Sequence, residues 1–467
     1  MTATKGIAKT VVSVTPVAIE RDSRTLKQAA SLVRAGYRSI VVEGERSRLD
    51  PGELPFELVT PAGVPEAWGS DHEQAGGPHG RPIDEQAPPA GNAAGRRGLV
   101  RRGLWFVYTR WFALLERLMP GFNPRWWEFK SRLRWTLNGL RSLPRADLYI
   151  VHSPRPYPAV ALRRLLAPGA RHAYDAHDAY FEIVGGGEGV PPRPGQPTWE
   201  RLERRCVSGA SYFATVSDGL ADLLEERFGR RPAVIRNCQD PRLNRPAPVG
   251  LRERLGLSGS DYLLVSIGNH KAGLGVAALE AIRRLPADVH LALVGRGYDE
   301  LWDAIEERDL EGRVHLIGPV PPTEVASFIG SADAAVTLYE PLDRNYERML
   351  PNGFFHGLAA GLPMLYPQTS PEVAALGERY GLGLSVDPLD PDSIAAAVAR
   401  LSGDPALARQ LRAGAERAGE EESWEHEERR FLLLVEGAVG SGMAATQPPT
   451  AASAGATCGA GARRHAG

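Results

Sequence analysis

Apolar residues recur along the chain in two alternating rhythms. Thr10-Val11-Val12-Ser13-Val14 is a short β-branched run that reads as a strand. Thr25 to Ala35 then places Leu26, Ala29, Ala30 and Val33 on one helical face, with Gly36 positioned as a C-cap. Ser39 to Val42 reads as the next strand, followed by Asp147 to Val151, Ser211 to Val216 and Ala233 to Arg236. A second series opens near Asp261, with Tyr262 to Ile267, Val289 to Val294, Val314 to Ile317, Ala334 to Leu338 and Pro363 to Tyr366. Asp390-Pro391 and Asp404-Pro405 each set a capping Asp before a Pro at the first helical position.

Strands alternating with helices predict parallel sheets with crossover helices. The expected organisation is an N-terminal Rossmann-like domain over residues 1–243 and a second over 251–438, joined by the linker Arg242 to Gly250. Residues 61–98, rich in Pro, Gly, Ala and Gln without apolar periodicity, read as a disordered insertion, and 440–467 as a disordered tail. Two such domains create a cleft, because ligands of open α/β sheets bind beyond the carboxyl ends of the strands.

The length of 467 residues suits two or three domains, and 43% apolar with 24% charged residues is ordinary for a globular chain. A formal net charge of −1 gives no global attraction to nucleic acid. No stretch approaches the roughly 20 apolar residues of a membrane span. The run Val11 to Ile19 contains Pro16 and meets Glu20-Arg21-Asp22, so no signal peptide and a cytoplasmic location are expected. Cys206, Cys238 and Cys458 are too scattered for a disulfide framework or a zinc site.

Two segments could hold a phosphate. Ser266 to Gly275 follows a strand and opens a helix, where backbone N–H groups and the helix dipole attract anions. It lacks the Gly-Lys-Ser/Thr ending of an ATP-type loop, and a plain strand-to-helix turn reads equally well. Lys271 there favours an anion, since a cation near a helix N-terminus needs a reason. The second segment is Leu350 to Pro363. Pro351 forces Leu350 out of helix, Asn352 is a good N-cap, Gly353 lets a ligand approach the first turn, and Gly361 ends the helix. A packed connector helix is the alternative.

These pieces, taken in order, resemble glycosyltransferase family 4. They are Arg21 to Lys27, Tyr174-Asp175-Ala176-His177-Asp178, Leu202 to Arg205, Thr215 to Gly219, Arg236-Asn237, Pro319 to Pro322, Ser331-Ala332-Asp333, Leu350 to Phe355 and Ala359 to Pro363. The resemblance implies an α/β protein of the GT-B fold, two Rossmann-like parallel-sheet domains facing across a cleft, with a terminal helix returning to the N-domain. It implies a retaining, metal-independent transferase that uses a nucleotide-diphosphate sugar as substrate and no cofactor. The donor-binding set is then Gly268, Asn269, Lys271, Arg296, Pro351, Asn352, Gly353, Phe354 and His356. His152, Lys271, His177 and Asp178 are the catalytic candidates. A neutral His at these strand ends could position an acceptor or relay a proton, and a satisfied structural histidine is the plainer alternative. Arg24 and Lys27 line the cleft floor on the acceptor side or pair with Asp22.

Two departures stand out. Where the family carries two glutamates eight positions apart, this chain has Arg348 and His356. Neutral His356 can bond one hydroxyl but cannot accept twice as a carboxylate does. Gly353 replaces the usual Lys of its loop. A catalytically impaired GT-B protein acting as a binding partner or activator is therefore a second expectation.

Residues 99–141 hold nine Lys and Arg against two acids, together with Trp105, Trp111, Trp126, Trp127 and Trp135. A basic aromatic helical segment of this kind suits peripheral contact with an anionic membrane, and hence a lipid-linked acceptor. A helical pair packed on the sheet is the alternative. The expected partners are a nucleotide sugar and a sugar, lipid-linked or small-molecule acceptor, with no nucleic acid.

Overall fold

The computed structural model describes residues 8–62, 64, 133, 136–182, 196–269, 275–337, 339–341 and 343–440. Strands β1 (Thr10–Val14), β2 (Arg38–Val42), β3 (Glu57–Val59), β4 (Leu148–Val151), β5 (Arg171–Ala176), β6 (Phe213–Thr215) and β7 (Ala233–Val234) form a seven-stranded sheet in the order β3-β2-β1-β4-β5-β6-β7. Strands β8 (Tyr262–Asn269), β9 (Val289–Arg296), β10 (Val314–Ile317), β11 (Ala334–Val336), β12 (Met364–Pro367) and β13 (Gly383–Val386) form a six-stranded sheet in the order β10-β9-β8-β11-β12-β13. Every pairing is parallel. The expected fold of two Rossmann-like domains is thus present.

Helices cover both faces of each sheet, which is why β4 reads as an unbroken apolar run and β1 as a mostly apolar one. Val11, Val12, Val14, Ile150 and Val151 are all fully buried. Strand order reverses between β1 and β4 in the first sheet and between β8 and β11 in the second. A crevice opens at each such switch point, where neighbouring crossovers leave to opposite faces.

The terminal helix Trp424–Gly440 returns to the first domain. Its Trp424, Phe431, Val435 and Ala438 pack with Val11, Leu148, Ile150 and Ile235. Trp424 donates from Nε1 to Ser31 Oγ at 2.9 Å. The domains also touch beside the cleft. Glu372 of the second domain accepts from the backbone N–H groups of Asp218 and Gly219, at the head of the helix Asp218–Phe228. Asn345 Oδ1 accepts from Ala179 N at 2.8 Å, and Ser217 Oγ donates to the Arg348 carbonyl at 2.7 Å.

Some elements differ from the pattern-based expectation. β7 stops at Val234 rather than Arg236, because the Arg236 N–H turns to Glu427 of the terminal helix. β3 has three residues, too few for a periodicity to register. The insertion expected at 61–98 and the basic segment at 99–141 lie outside the described residues, except 61, 62, 64, 133 and 136–141, and the tail from 441 lies wholly outside them. No helix among the described residues is long and apolar enough to cross a membrane.

Candidate active site

The strand ends at both switch points line a single cavity of about 470 Å³. Thr15 to Val17 and Glu20 to Arg24 follow β1, His152 follows β4, and His177 and Asp178 follow β5. Opposite them stand Gly268 and Asn269 of β8, Gly295 and Arg296 of β9, and the head of the helix Asn352–Ala359. Pro319, Val320, Pro322 and Val325 supply an apolar wall.

On the first-domain side, alternation along an extended chain turns Asp175 and His177 the same way. His152 Nδ1 lies 3.1 Å from His177 Nε2. Asp175 Oδ2 is 3.6 Å from the first of these nitrogens and 3.9 Å from the second. Burial alone would raise the Asp175 pKa, but Arg24 and the bonds from Arg24 and His152 hold it well below the carboxylate range. Burial pushes the His177 imidazole below its ordinary value, against the pull of Asp22 and Asp175. Asp178 accepts from Asn345 Nδ2 at 3.3 Å, a bond across the cleft.

The cations of the helix Ser23–Arg34 do not act as expected. Arg24 reaches the cavity wall, but its guanidinium is spent on Asp175 at 2.8 Å for each oxygen and on the Ile235 carbonyl at 2.6 Å. Lys27 is absent from the cavity lining. It is buried, donates to the carbonyls of Asn237 (3.0 Å) and Cys238 (2.5 Å), and lies 5.4 Å from the Trp424 ring centre. Burial pushes its pKa down to about 7. Neither residue bonds to Asp22, whose carboxylate is engaged by Thr15 and Thr25. These cations hold the segment that leads from β7 toward the second domain.

On the second-domain side, Gly268 pairs with Gly295 at the ends of β8 and β9. A Cβ at Gly295 would lie 1.5 Å from the Gly268 carbonyl oxygen, at a φ of +151°. The helix Asn352–Ala359 begins at Asn352, with Pro351 in the N-cap position and no side-chain cap. Asn352 is therefore not the expected N-cap; its Oδ1 accepts instead from Asn237 Nδ2 of the first domain. Among the described residues the first-turn amides have no side-chain partner, as an anion site requires. Gly353 has a structural reason beyond ligand approach: a Cβ there would meet the Ile267 carbonyl oxygen at 2.3 Å. That contact seats the helix against β8.

Phe354, expected among the donor-binding residues, is fully buried in the core with Leu263, Val265 and Ala335 and does not line the cavity. It lies on the opposite helical face from the cavity residues. His356 does line it, and burial together with the Lys27 charge pushes its pKa down to about 3, so it is neutral. Arg296 stands in the wall. Lys271 lies outside the described residues.

His152, Asp175 and His177 are grouped closely enough to ligate one metal ion. Asp175, however, already takes Arg24 on both oxygens and Gln28 Nε2 at 2.6 Å. A divalent ion would sit beside a fixed guanidinium charge, so the trio fits a metal poorly.

Sequence reasoning assigned no role to Asp175, Asn237 or Asn345. The first two lie within motifs that carried the family resemblance, and period-two alternation could have singled out Asp175. Asn345 had no local signal, since its partners Ala179 and Asp178 lie in the other domain.

Residues 86–243 match the family model described as Glycosyltransferase Family 4, and residues 263–404 match the model described as Glycosyl transferases group 1. Among curated proteins, the chain is 30% identical to the glycogen synthase of Mycobacterium tuberculosis over 239 residues, covering 48% of this chain and 53% of that protein. It is also 30% identical to the lipopolysaccharide core biosynthesis glycosyltransferase LpsD of Rhizobium meliloti over 174 residues, covering 36% of this chain and 48% of the relative. The chain thus spans about half the length of the curated relatives it matches. Among solved structures, the sucrose-phosphate synthase of Thermosynechococcus elongatus aligns with a TM-score of 0.60 at 15% identity, over 92% of this chain and 98% of that one. Anabaena HepE in complex with UDP-glucose aligns with a TM-score of 0.58 at 14% identity, over 92% and 99%. Likeness at this identity speaks for the fold. Together with the two family models, it makes the chain a glycosyltransferase family 4-like protein of the GT-B fold.

Proposed function

We propose that the protein is a nucleotide-sugar-dependent glycosyltransferase. It retains anomeric configuration, needs neither metal nor cofactor, and transfers the sugar to a glycan, lipid-linked or small-molecule acceptor. The observation that carries this reading is the uncapped first turn of Asn352–Ala359 opening into the same cavity as β8, β9 and His152. The donor diphosphate sits at those amides, where the helix dipole favours negative charge. Arg296 and Lys271 neutralise the leaving diphosphate as the bond to the anomeric carbon breaks. The acceptor hydroxyl, approaching from the first-domain side, forms the new bond and passes its proton to the departing diphosphate oxygen. His152 stands beside the transferred sugar, with His177 and Asp178 in the same cavity lining.

HepE, which shares the fold, was solved with UDP-glucose, and a ligand of that class suits the size and polarity of this cavity. Retention is inferred from the family resemblance. Metal independence is supported by the commitment of Asp175 to Arg24. For a lipid-linked acceptor, residues 99–141 would supply the contact with the membrane surface.

Incubation with a panel of nucleotide sugars tests the reading. Release of one diphosphate, dependent on an acceptor, is expected; failure of the protein to bind or cleave any member would overturn it. His356 favours a second reading, a binding partner without turnover, because a neutral imidazole stands where the family carries a carboxylate. That protein would release no diphosphate from any donor.

A further inference from the structure

Among the described residues, three that line the cavity each carry a buried side-chain atom without a hydrogen-bond partner: His152 Nε2, Asn237 Oδ1 and His356 Nδ1. They come from the end of β4, the segment after β7, and the helix Asn352–Ala359. Buried polar atoms are nearly always paired, so three in one wall mark where a ligand supplies the partners.

Asn237 is the informative member because its amide nitrogen is already engaged. Its Nδ2 donates to Asn352 Oδ1 across the cleft and to Ser23 Oγ at 3.4 Å. The unpartnered atom is therefore the carbonyl oxygen, which can only accept. Lys27 pins the backbone by bonding the Asn237 and Cys238 carbonyls, so the side chain is held in place. An ionised phosphate oxygen is also only an acceptor and is repelled at this point, whereas a hydroxyl brings the missing proton.

We propose that Asn237 is a ligand-binding residue that accepts a hydrogen bond from a hydroxyl of the bound nucleotide sugar, with His152 and His356 completing the wall around the hydroxyl-bearing part of that ligand. The inference rests on the nucleotide-sugar reading above. Because Asn237 also holds Asn352, at the head of the helix assigned to the diphosphate, one side chain links hydroxyl recognition in the first domain to anion binding in the second.

The hydroxyl belongs to the ribose or to the transferred sugar. Calorimetric titration of UDP, UDP-glucose, GDP and GDP-mannose into the unaltered protein and into Asn237→Ala separates the two. At least a tenfold loss of affinity is expected in Asn237→Ala. An equal loss for diphosphate and diphosphate sugar assigns the ribose, and a loss confined to the sugar-bearing ligand assigns the transferred sugar. Either supports the proposal. Unchanged affinity for every ligand that the unaltered protein binds overturns it and leaves the nucleotide-sugar reading standing. If the unaltered protein binds none of the four, that reading fails first and takes the inference with it. Should Asn237→Ala fold poorly, deoxy forms of the ribose and of the sugar are titrated into the unaltered protein. Deoxy ligands that all bind as well as their parents overturn the proposal; a tenfold loss for one supports it.

Discussion

Arg24 holds both carboxylate oxygens of Asp175 at 2.8 Å, and both side chains are almost completely buried. The pair joins the helix Ser23–Arg34 to β5 across 151 residues of sequence and sets the carboxylate between two histidines of the cavity. Removing one partner strands the other charge out of water, at a cost of about 3–5 kcal/mol. Arg24→Met should therefore lower the melting temperature strongly, and adding Asp175→Asn should restore part of the loss. Thermal melts of both single variants and the double variant give the coupling. A double variant no better than the sum of its parts would show that the pair does not act as a unit.

His152 is buried beside His177 in the cavity lining. His152→Ala should slow turnover by roughly 10²-fold or more, the low end for a positioned acid–base or orienting group. Nucleoside diphosphate affinity should be largely kept, since the amides of Asn352–Ala359 lie in the other domain. Turnover equal to the unaltered protein would remove His152 from the site.

Gly353 leaves no room for a side chain. A Cβ there would approach the Ile267 carbonyl oxygen to 2.3 Å. Gly353→Ala should push the helix away from β8, costing about 1–3 kcal/mol as overpacking does, and should weaken diphosphate binding together with stability. Melting and calorimetry on the same sample check both. A variant that melts normally would mean that the helix moves without strain.

Glu203, on the helix Gln196–Ser208, accepts from Tyr174 Oη at 2.6 Å, and burial pushes its pKa up from 4.5 to about 8. Between those values the folded chain binds a proton that the unfolded chain has lost, so this group's contribution to stability falls as pH rises from 4.5 to about 8. The slope is at most about 1.4 kcal/mol per pH unit. Glu203→Gln keeps the acceptor for Tyr174 and removes the titration. Its melting temperature should gain on the unaltered protein as pH is raised from 5 to 9, levelling off above the folded pKa. Parallel curves over that range would refute the assignment.

Much of this was legible in the chain itself. The switch from β-branched runs to helical spacing announced two parallel sheets, because a strand buried on both faces is mostly apolar. Asp390 and Asp404 announced their helix starts, and each accepts from the following amides as such caps do. The motif Leu350 to Pro363 located a short helix, since proline and glycine constrain the backbone without help from distant partners, but not its missing side-chain cap, which the sequence had assigned to Asn352.

Which way each side chain turned was decided only in three dimensions. Phe354 and His356 are two residues apart on one helix, yet one enters the core and the other the cavity, because the phase of a helix is set by what packs against it. Lys27 looked like a cleft cation and became a buried strut beneath Asn237, for want of any local clue to carbonyls some 210 residues away. Asn237 and Asn352 meet only where the two domains close on each other. Local spacing encodes backbone conformation and which face is apolar; the partner of a buried charge or amide depends on segments brought together by the fold, and no period in the sequence records it.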